Sequence, residues 1–431
     1  MSTVVSRTDT RTPGGPYTLP DITPRTASKP GVDSSRIGSI DIIRGAVMVL
    51  MAIDHVRVFS GVPAGGPTPG VFFTRWVTHF CAPAFIFLAG TSAFLHGEKV
   101  RDRGTLVRFL LTRGTWLVLL ELTVLRFAWT FNFDYAHYAL AGVIWVIGWC
   151  MILMAALVSL PIAAIGGIGV AIIALHNVTD FYAFELTRAA SASTLSPLWQ
   201  ILYFGGNIAL SAGGDDGPKL AVLYSIIPWI GVMAAGYGFG RVMRLDPARR
   251  RQVCLASGVG AIAMFLVLRG FNLYGDPRPW GDAARRAATQ RISAPPAFLQ
   301  FLATNKYPAS LLFLLMTLGP TILLIPLLER ARGGVARVLT VFGRVPFFYY
   351  VLHIPLIHLV FVGLSIARFG RIIPWMTTNH PMFVPPPPAG YTYSLTALYT
   401  ITLLVVTILY FPCRWFAGLK ARRTERWLSY V

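Results

Sequence analysis

Residues 39–59 read SIDIIRGAVMVLMAIDHVRVF. The stretch is long and apolar enough for a membrane-crossing helix, which needs about 20 residues. Its last turns nevertheless hold an acid, an imidazole and a guanidinium: Asp54, His55 and Arg57. Ionisable groups inside a bilayer are costly unless they pair or line a wet cavity, so they point to function. At about 100° per residue, Arg44, Met48, Met51 and His55 fall on one helical stripe. His55 lies about 16 Å beyond Arg44 at a rise of about 1.5 Å per residue. One face would therefore offer a cation near one membrane surface and a proton acceptor well across from it.

The rest of the chain repeats the apolar half of this pattern. Of 431 residues, 55% are hydrophobic and 13% charged, too little polar surface for a soluble protein of this size. About ten runs could cross a bilayer. They are approximately 39–59, 73–95, 106–129, 138–159, 162–177, 220–243, 253–271, 309–328, 338–363 and 393–413. The expected fold class is an all-α polytopic membrane protein. Half of its net charge of +20 is carried by clusters that follow runs: EKVRDRG, RVMRLDPARRR, ERARGGVAR and KARRTER. With the N-terminus inside, all four clusters face the cytoplasm, as positive-inside bias requires. Both termini are then cytoplasmic, and the basic charge does not imply a nucleic-acid partner.

Residues 1–36, rich in Thr, Ser, Pro, Gly and Arg, read as a disordered cytoplasmic tail. Residues 37–415 read as the transmembrane domain and 416–431 as a basic cytoplasmic tail. Three long segments, 178–219, 272–308 and 364–392, elaborate the outer face, and the last contains the stiff stretch VPPPPAG. GVMAAGYGFG, residues 231–240, places small residues four apart, which favours close helix packing. Cys81, Cys150, Cys254 and Cys413 are far apart, form no CxxC pair, and read as small core residues.

The second run adds Arg75 and His79 at nearly the depth of His55. The third adds Glu121 and Arg126 in its outer half, and the ninth adds His353 near its middle. Asp54, His55, His79, Glu121 and Arg126 at a common depth read as one polar site rather than as scattered oddities. A neutral imidazole is the best general base near neutral pH, and a carboxylate can orient it. His55, with His79 as its rival, is the expected base. Asp54 neighbours His55 in sequence, so the two side chains diverge; it is better placed to orient His79 or neutralise Arg57. Asp54 or Glu121 would hold the imidazole, Glu121 from the acceptor side, and Arg57, Arg75 and Arg126 would bind an anionic acceptor or offset the carboxylates. Arg44, Arg108 and Arg113 on the cytoplasmic side would suit the phosphates of a long thioester donor. No GxSxG, HExxH, GxGxxG or P-loop motif occurs. A metal held by His55, His79 and Asp54 is a lesser alternative, and none is expected. The rival function class is a transporter or channel for a small anion or glycan precursor, using the same groups as a relay.

Four stretches carry a family resemblance: RIGSIDIIRGAVMVLMAIDHVR (36–57), FFTRWVTHFCAPAFIFLAGTSAFL (72–95), IIPWIGVMAAGYGFG (226–240) and FGRVPFFYYVLHIPLIH (342–358). Together they resemble the membrane domain of the heparan-alpha-glucosaminide N-acetyltransferase family and its bacterial relatives. The resemblance implies a transmembrane acyltransferase of the cell membrane, the inner membrane if bacterial. It would move acetyl from cytoplasmic acetyl-CoA, as co-substrate, to a sugar amine or hydroxyl on the far side. By the same resemblance Arg44 and Arg344 belong to the donor side. Independently of it, the position of His353 near the middle of its run would place it along the donor tunnel. The implied partners are the lipid bilayer, the acyl donor and a saccharide or glycolipid acceptor, with a homo-oligomer left open. The chain departs from the family's characterised enzyme in two ways. Asp54 stands where that enzyme has an asparagine, and SGVPAGGPTPG (60–70) lacks the histidine proposed as catalytic there. His55 or His79 would have to supply the base.

Overall fold

The stretch 39–59 forms α1 (Gly38–Phe59), with Asp54, His55 and Arg57 on its last turns. The computed structural model describes residues 37–65, 68–181, 195–211, 217–282, 285, 289, 295–423 and 425. The tail expected over 1–36 lies outside the described residues, as do parts of the segments 178–219 and 272–308.

The second run is composite. Helix α2 (Pro69–Trp76) starts on Pro69, where a missing N–H costs nothing, and Thr68 caps it. A 3₁₀ turn, Val77–Phe80, leads into α3 (Cys81–Val100). Asp102 caps α4 (Arg103–Leu120) by accepting from the Thr105 N–H. A π-helical turn, Glu121–Leu125, joins α4 to α5 (Arg126–Thr130). Such wide turns relocate a side chain without ending the helix. Then follow α6 (Val143–Leu157), α7 (Ile162–Leu175), α8 (Ile226–Phe239) and α9 (Pro247–Gly270). The last four are α10 (Leu311–Leu328), α11 (Gly334–Arg344), α12 (Pro346–Phe369) and α13 (Leu395–Arg422). Helix α13 continues past the tail boundary expected at 415.

Among the described residues, seven helical segments are long and apolar enough to cross a membrane. They begin at Pro69, Ile162, Ile226, Pro247, Leu311, Pro346 and Leu395. Of the other three expected runs, α1 carries Asp41, Arg44, Asp54 and Arg57, and the helix over 103–130 is likewise charged. The third, α6, is apolar but short. The chain is thus a mostly helical, integral multi-pass membrane protein.

Two departures from the expected pattern shape the site. First, the fold is not purely helical. β1 (Tyr138–Ala141) pairs in parallel with β3 (Lys219–Val222), and β2 (Gly206–Ala209) pairs antiparallel with β3. These residues opened the expected runs 138–159 and 220–243. Short apolar stretches do not distinguish strand from buried helix by periodicity, and here cross-chain pairing decides. Second, the run expected over 338–363 is broken. Val345 adopts φ −134° ahead of Pro346, because a residue before proline is pushed out of the helical region. Arg344 therefore ends one helix and Pro346 starts the next.

Helix α8 packs between α3 and α7. A Cβ on Gly236 would lie 2.1 Å from the Phe87 carbonyl oxygen. GVMAAGYGFG is thus a close-packing face, which sets α3 against α8. Helix α1 packs on α3, α10, α11, α12 and α13, so its polar end is enclosed by elements from both halves of the chain.

Candidate functional site

The C-terminal turns of α1 open onto a cavity of about 460 Å³. Asp54, His55, Arg57, Arg75 and Glu121 line it, with Trp129, Tyr224, Tyr307 and Tyr350. The segment carrying Trp375, His380 and Pro385–Pro387 forms its far wall. On the Met51 side of His55 lies a narrower cavity of about 30 Å³, lined by Met51, Ala82, Phe85 and Lys306. Asp54, His55, Tyr224 and Tyr350 line both. His55 therefore stands at the seam between a wide chamber that carries the charged groups and a tight, mainly apolar one.

The protonation pattern of His55 follows from its neighbours. Its Nδ1 lies 2.7 Å from Nε2 of His353, and the two rings meet edge to edge, 21° from parallel, with centroids 4.8 Å apart. Nδ1 of His353 lies 2.6 Å from the Tyr350 carbonyl oxygen. A carbonyl only accepts, so His353 Nδ1 carries the hydrogen and, in the neutral ring, its Nε2 accepts. His55 must then donate from Nδ1. That leaves a lone pair on His55 Nε2, which has no hydrogen-bond partner among the described residues. Trp129 packs edge-on against the ring at 4.7 Å and fixes its plane. The result is an oriented imidazole whose unprotonated nitrogen can take a proton.

Among the described residues, no hydrogen bond joins the Asp54 carboxylate to the His55 ring. Its carboxylate accepts from Arg57 Nε at 3.0 Å and lies 3.8 Å from an Arg75 nitrogen. Arg57 also donates to the Val62 carbonyl at 3.1 Å. The two guanidiniums and one carboxylate leave a net positive wall beside the imidazole.

The remaining predicted residues divide sharply. Glu121 reaches the large cavity but accepts the backbone N–H groups of Ile144 and Trp145 at 2.8 and 3.2 Å. It thereby caps the start of α6. Gly142 is required beside it, because a Cβ there would lie 2.7 Å from Glu121 Oε1. Arg126 does not line the cavity. Its guanidinium is taken up by the carbonyls of Tyr138, Asn132 and Asp134 and by the Thr130 hydroxyl. His79 is buried outside both cavity linings, packed against Phe313 with neither ring nitrogen hydrogen-bonded among the described residues. Arg44 donates to Leu88 O at 3.1 Å and to the Ser92 hydroxyl, both on α3. Arg113 lies over the rings of Phe109 and Phe347, while Arg108 and Arg344 are exposed. Among the described residues, no group of three or more His, Cys, Asp or Glu could hold a metal.

Several cavity residues escaped sequence reasoning. Tyr350 carries a signal that could have been used, since it precedes His353 by three positions on one helical face. Lys306, Trp375 and His380 come from the long connecting segments, where no periodicity marks a direction. His380 donates from Nε2 to the Trp375 carbonyl at 3.1 Å, and burial pushes its pKa down from 6.5 to about 4.

A family model described as heparan-alpha-glucosaminide N-acetyltransferase, catalytic, matches residues 36–272. The match covers α1 through α9 and brings in Asp54, His55, Arg57, Arg75 and Glu121. It ends before His353 and the far wall of the cavity. A comparison with curated proteins gave no match. With more than half of its length matched, the chain belongs to the heparan-alpha-glucosaminide N-acetyltransferase catalytic-domain family, a family of membrane acyltransferases.

Proposed function

We propose that the chain transfers an acetyl group from acetyl-CoA to an amine or hydroxyl of a saccharide or glycolipid. The acceptor would occupy the large cavity on the outer side, and the donor would arrive from the cytoplasm. This reading takes ten membrane crossings and both termini in the cytoplasm. Arg44, Arg108, Arg113 and Arg344 would then attract the phosphates of the donor. Arg57 and Arg75 would hold an anionic group of the acceptor. The observation that carries the proposal is the seam position of His55, with its tautomer fixed by His353.

The acceptor nitrogen or oxygen attacks the thioester carbonyl carbon, and the C=O π pair moves onto oxygen. His55 Nε2 takes the acceptor proton. Collapse restores the carbonyl, breaks the C–S bond, and sulfur takes the proton from His55. The products are an amide or ester and free CoA, with His55 neutral again. His353 relays no proton in this sequence; it holds the base in one tautomer and shares the imidazolium charge.

The test is radiolabelled acetyl transfer by purified protein, across a panel of amino sugars and glycolipids. His55→Ala should lower turnover by about 10²–10⁴-fold, with acetyl-CoA binding retained. A well-folded protein that neither binds acetyl-CoA nor transfers acetyl would turn the reading toward transport of a small anion or glycan precursor.

A further inference from the structure

Lys306 is the unexplained charge of the site. Its side chain is buried, with 7% of the residue exposed. It lines the narrow cavity together with His55, Asp54, Tyr224 and Tyr350. Its ammonium lies 5.2 Å from the Tyr307 ring centroid and 6.0 Å from that of Tyr224. Aromatic faces hold a cation in place but accept none of its three N–H bonds in the ordinary way. Among the described residues Lys306 has neither a hydrogen bond nor an ion pair. Asp54 does not supply one, being already matched by two guanidiniums at 3.0 and 3.8 Å. The residue is buried while its ammonium faces the cavity with its donors unmatched by protein groups, a placement that suits a charge arriving with the ligand.

We propose that Lys306 is a catalytic residue that binds the oxyanion of the acyl-transfer step. This rests on the acetyltransfer reading above and names a second group for it. As the acceptor attacks, the carbonyl π pair becomes a lone pair on oxygen, and the Lys306 N–H donors meet that oxygen. His55 takes the acceptor proton at the same time. When the C–S bond breaks, the pair returns to form the C=O bond and Lys306 is released unchanged. The narrow cavity suits this task because it has room for little more than one water-sized group, which limits the solvent that could screen the ammonium. Lys306 lies in a long connecting segment, beyond the region matched by the family model.

The experiment measures steady-state acetyl transfer by full-length wild type, Lys306→Met, Lys306→Gln and Lys306→Arg, with His55→Ala alongside. Loss of one oxyanion donor costs about 10²–10³-fold in kcat. The expected result is a fall of that order for Lys306→Met and Lys306→Gln, with the KM of donor and acceptor within about threefold of wild type. Lys306→Arg, which keeps the cation, should recover at least about tenfold of the loss. A residue that only stabilised the fold would lower the melting temperature and would not be separated by an Arg–Gln comparison at unchanged KM. Gln, one atom shorter, keeps polarity without the charge, so it serves where Met fails to fold. If Lys306→Gln keeps a kcat within about threefold of wild type, or loses only KM, the proposal is overturned. If wild type transfers nothing, the parent reading fails. If wild type transfers and His55→Ala does not, while Lys306→Gln does, only the Lys306 assignment fails.

Discussion

His353 Nε2 accepts the Nδ1–H of His55 across 2.7 Å, while His353 donates from its own Nδ1 to Tyr350. The two rings come from α1 and α12, so the proposed base and its orienting partner belong to opposite ends of the chain. A second imidazole here does what a carboxylate does in other dyads, but adds no negative charge beside Asp54. Without it, His55 is free to take the other tautomer and present an N–H to the acceptor. His353→Phe should therefore lower kcat by about 10–100-fold, with little change in acetyl-CoA binding. His353→Gln, whose side-chain oxygen can accept the same N–H, should retain more of the rate. Equal activity of all three proteins would show that His55 does not depend on this bond.

Glu121 and Gly142 make a second dependent pair. The buried carboxylate accepts two N–H groups at the start of α6, and Gly142 leaves the space it occupies. Gly142→Ala would drive a methyl group into that carboxylate. Overpacking of this kind costs about 1–3 kcal/mol, so the melting temperature in detergent should fall. Gly142→Ala combined with Glu121→Ala should be less than additive, because the first change already displaces what the second removes.

Arg126, a structural cation, contrasts with Arg75, the proposed acceptor-binding one. Its donors satisfy three backbone carbonyls of the turn that delivers β1. Arg126→Met would remove the guanidinium donor from the buried Tyr138 carbonyl and one donor each from those of Asn132 and Asp134, a loss of about 2 kcal/mol or more. Arg126→Lys keeps the charge but not the planar fork, and should recover little. Both should reduce stability and leave the acceptor KM of the surviving folded protein unchanged. Arg75→Ala should do the reverse, raising acceptor KM at nearly constant melting temperature. An Arg126→Lys protein of normal stability but weakened acceptor binding would return this residue to the acceptor site.

These residues show which parts of the site were legible in the sequence. Asp54, His55 and Arg57 stand out because a charge within an apolar run is costly, and that cost is visible without a structure. The same signal found Glu121, Arg126 and His353. It located charges by depth but not by direction. Depth grouped His79 and Arg126 with His55, whereas the helix faces separate them. The His55–His353 bond joins residues far apart in sequence, and no local pattern encodes such a contact. The strands at 138–141 and 219–222 were hidden for the opposite reason. Each is apolar and short, so only the presence of the other makes it extended. The break at Val345 was legible in principle, through Pro346. Lys306 carried no signal, because a lysine in a long connecting segment is usually solvated.

His380 gives the far wall of the cavity a dependence on pH. Its Nε2–H is held by the Trp375 carbonyl, and its Nδ1 is buried without a hydrogen-bond partner among the described residues. Adding a proton at Nδ1 would bury a charged donor facing nothing, which is why burial lowers the pKa from 6.5 to about 4. The nearby His358 ring adds to the effect. Above pH 6.5 the ring is neutral whether the segment is folded or open, and its packing is fully stable. As pH falls below 6.5 the open form takes up a proton and the folded form does not. Stability is then lost progressively down to about pH 4 and levels off below it. A shift of this size corresponds to about 3 kcal/mol across the window. Hydrogen exchange over residues 374–391 should therefore quicken between pH 7 and pH 5, after correction for the intrinsic rate. His380→Gln, which cannot take up the proton, should flatten that dependence. Protection that stays constant over this range in wild type would mean that the ring accepts its proton without the wall opening.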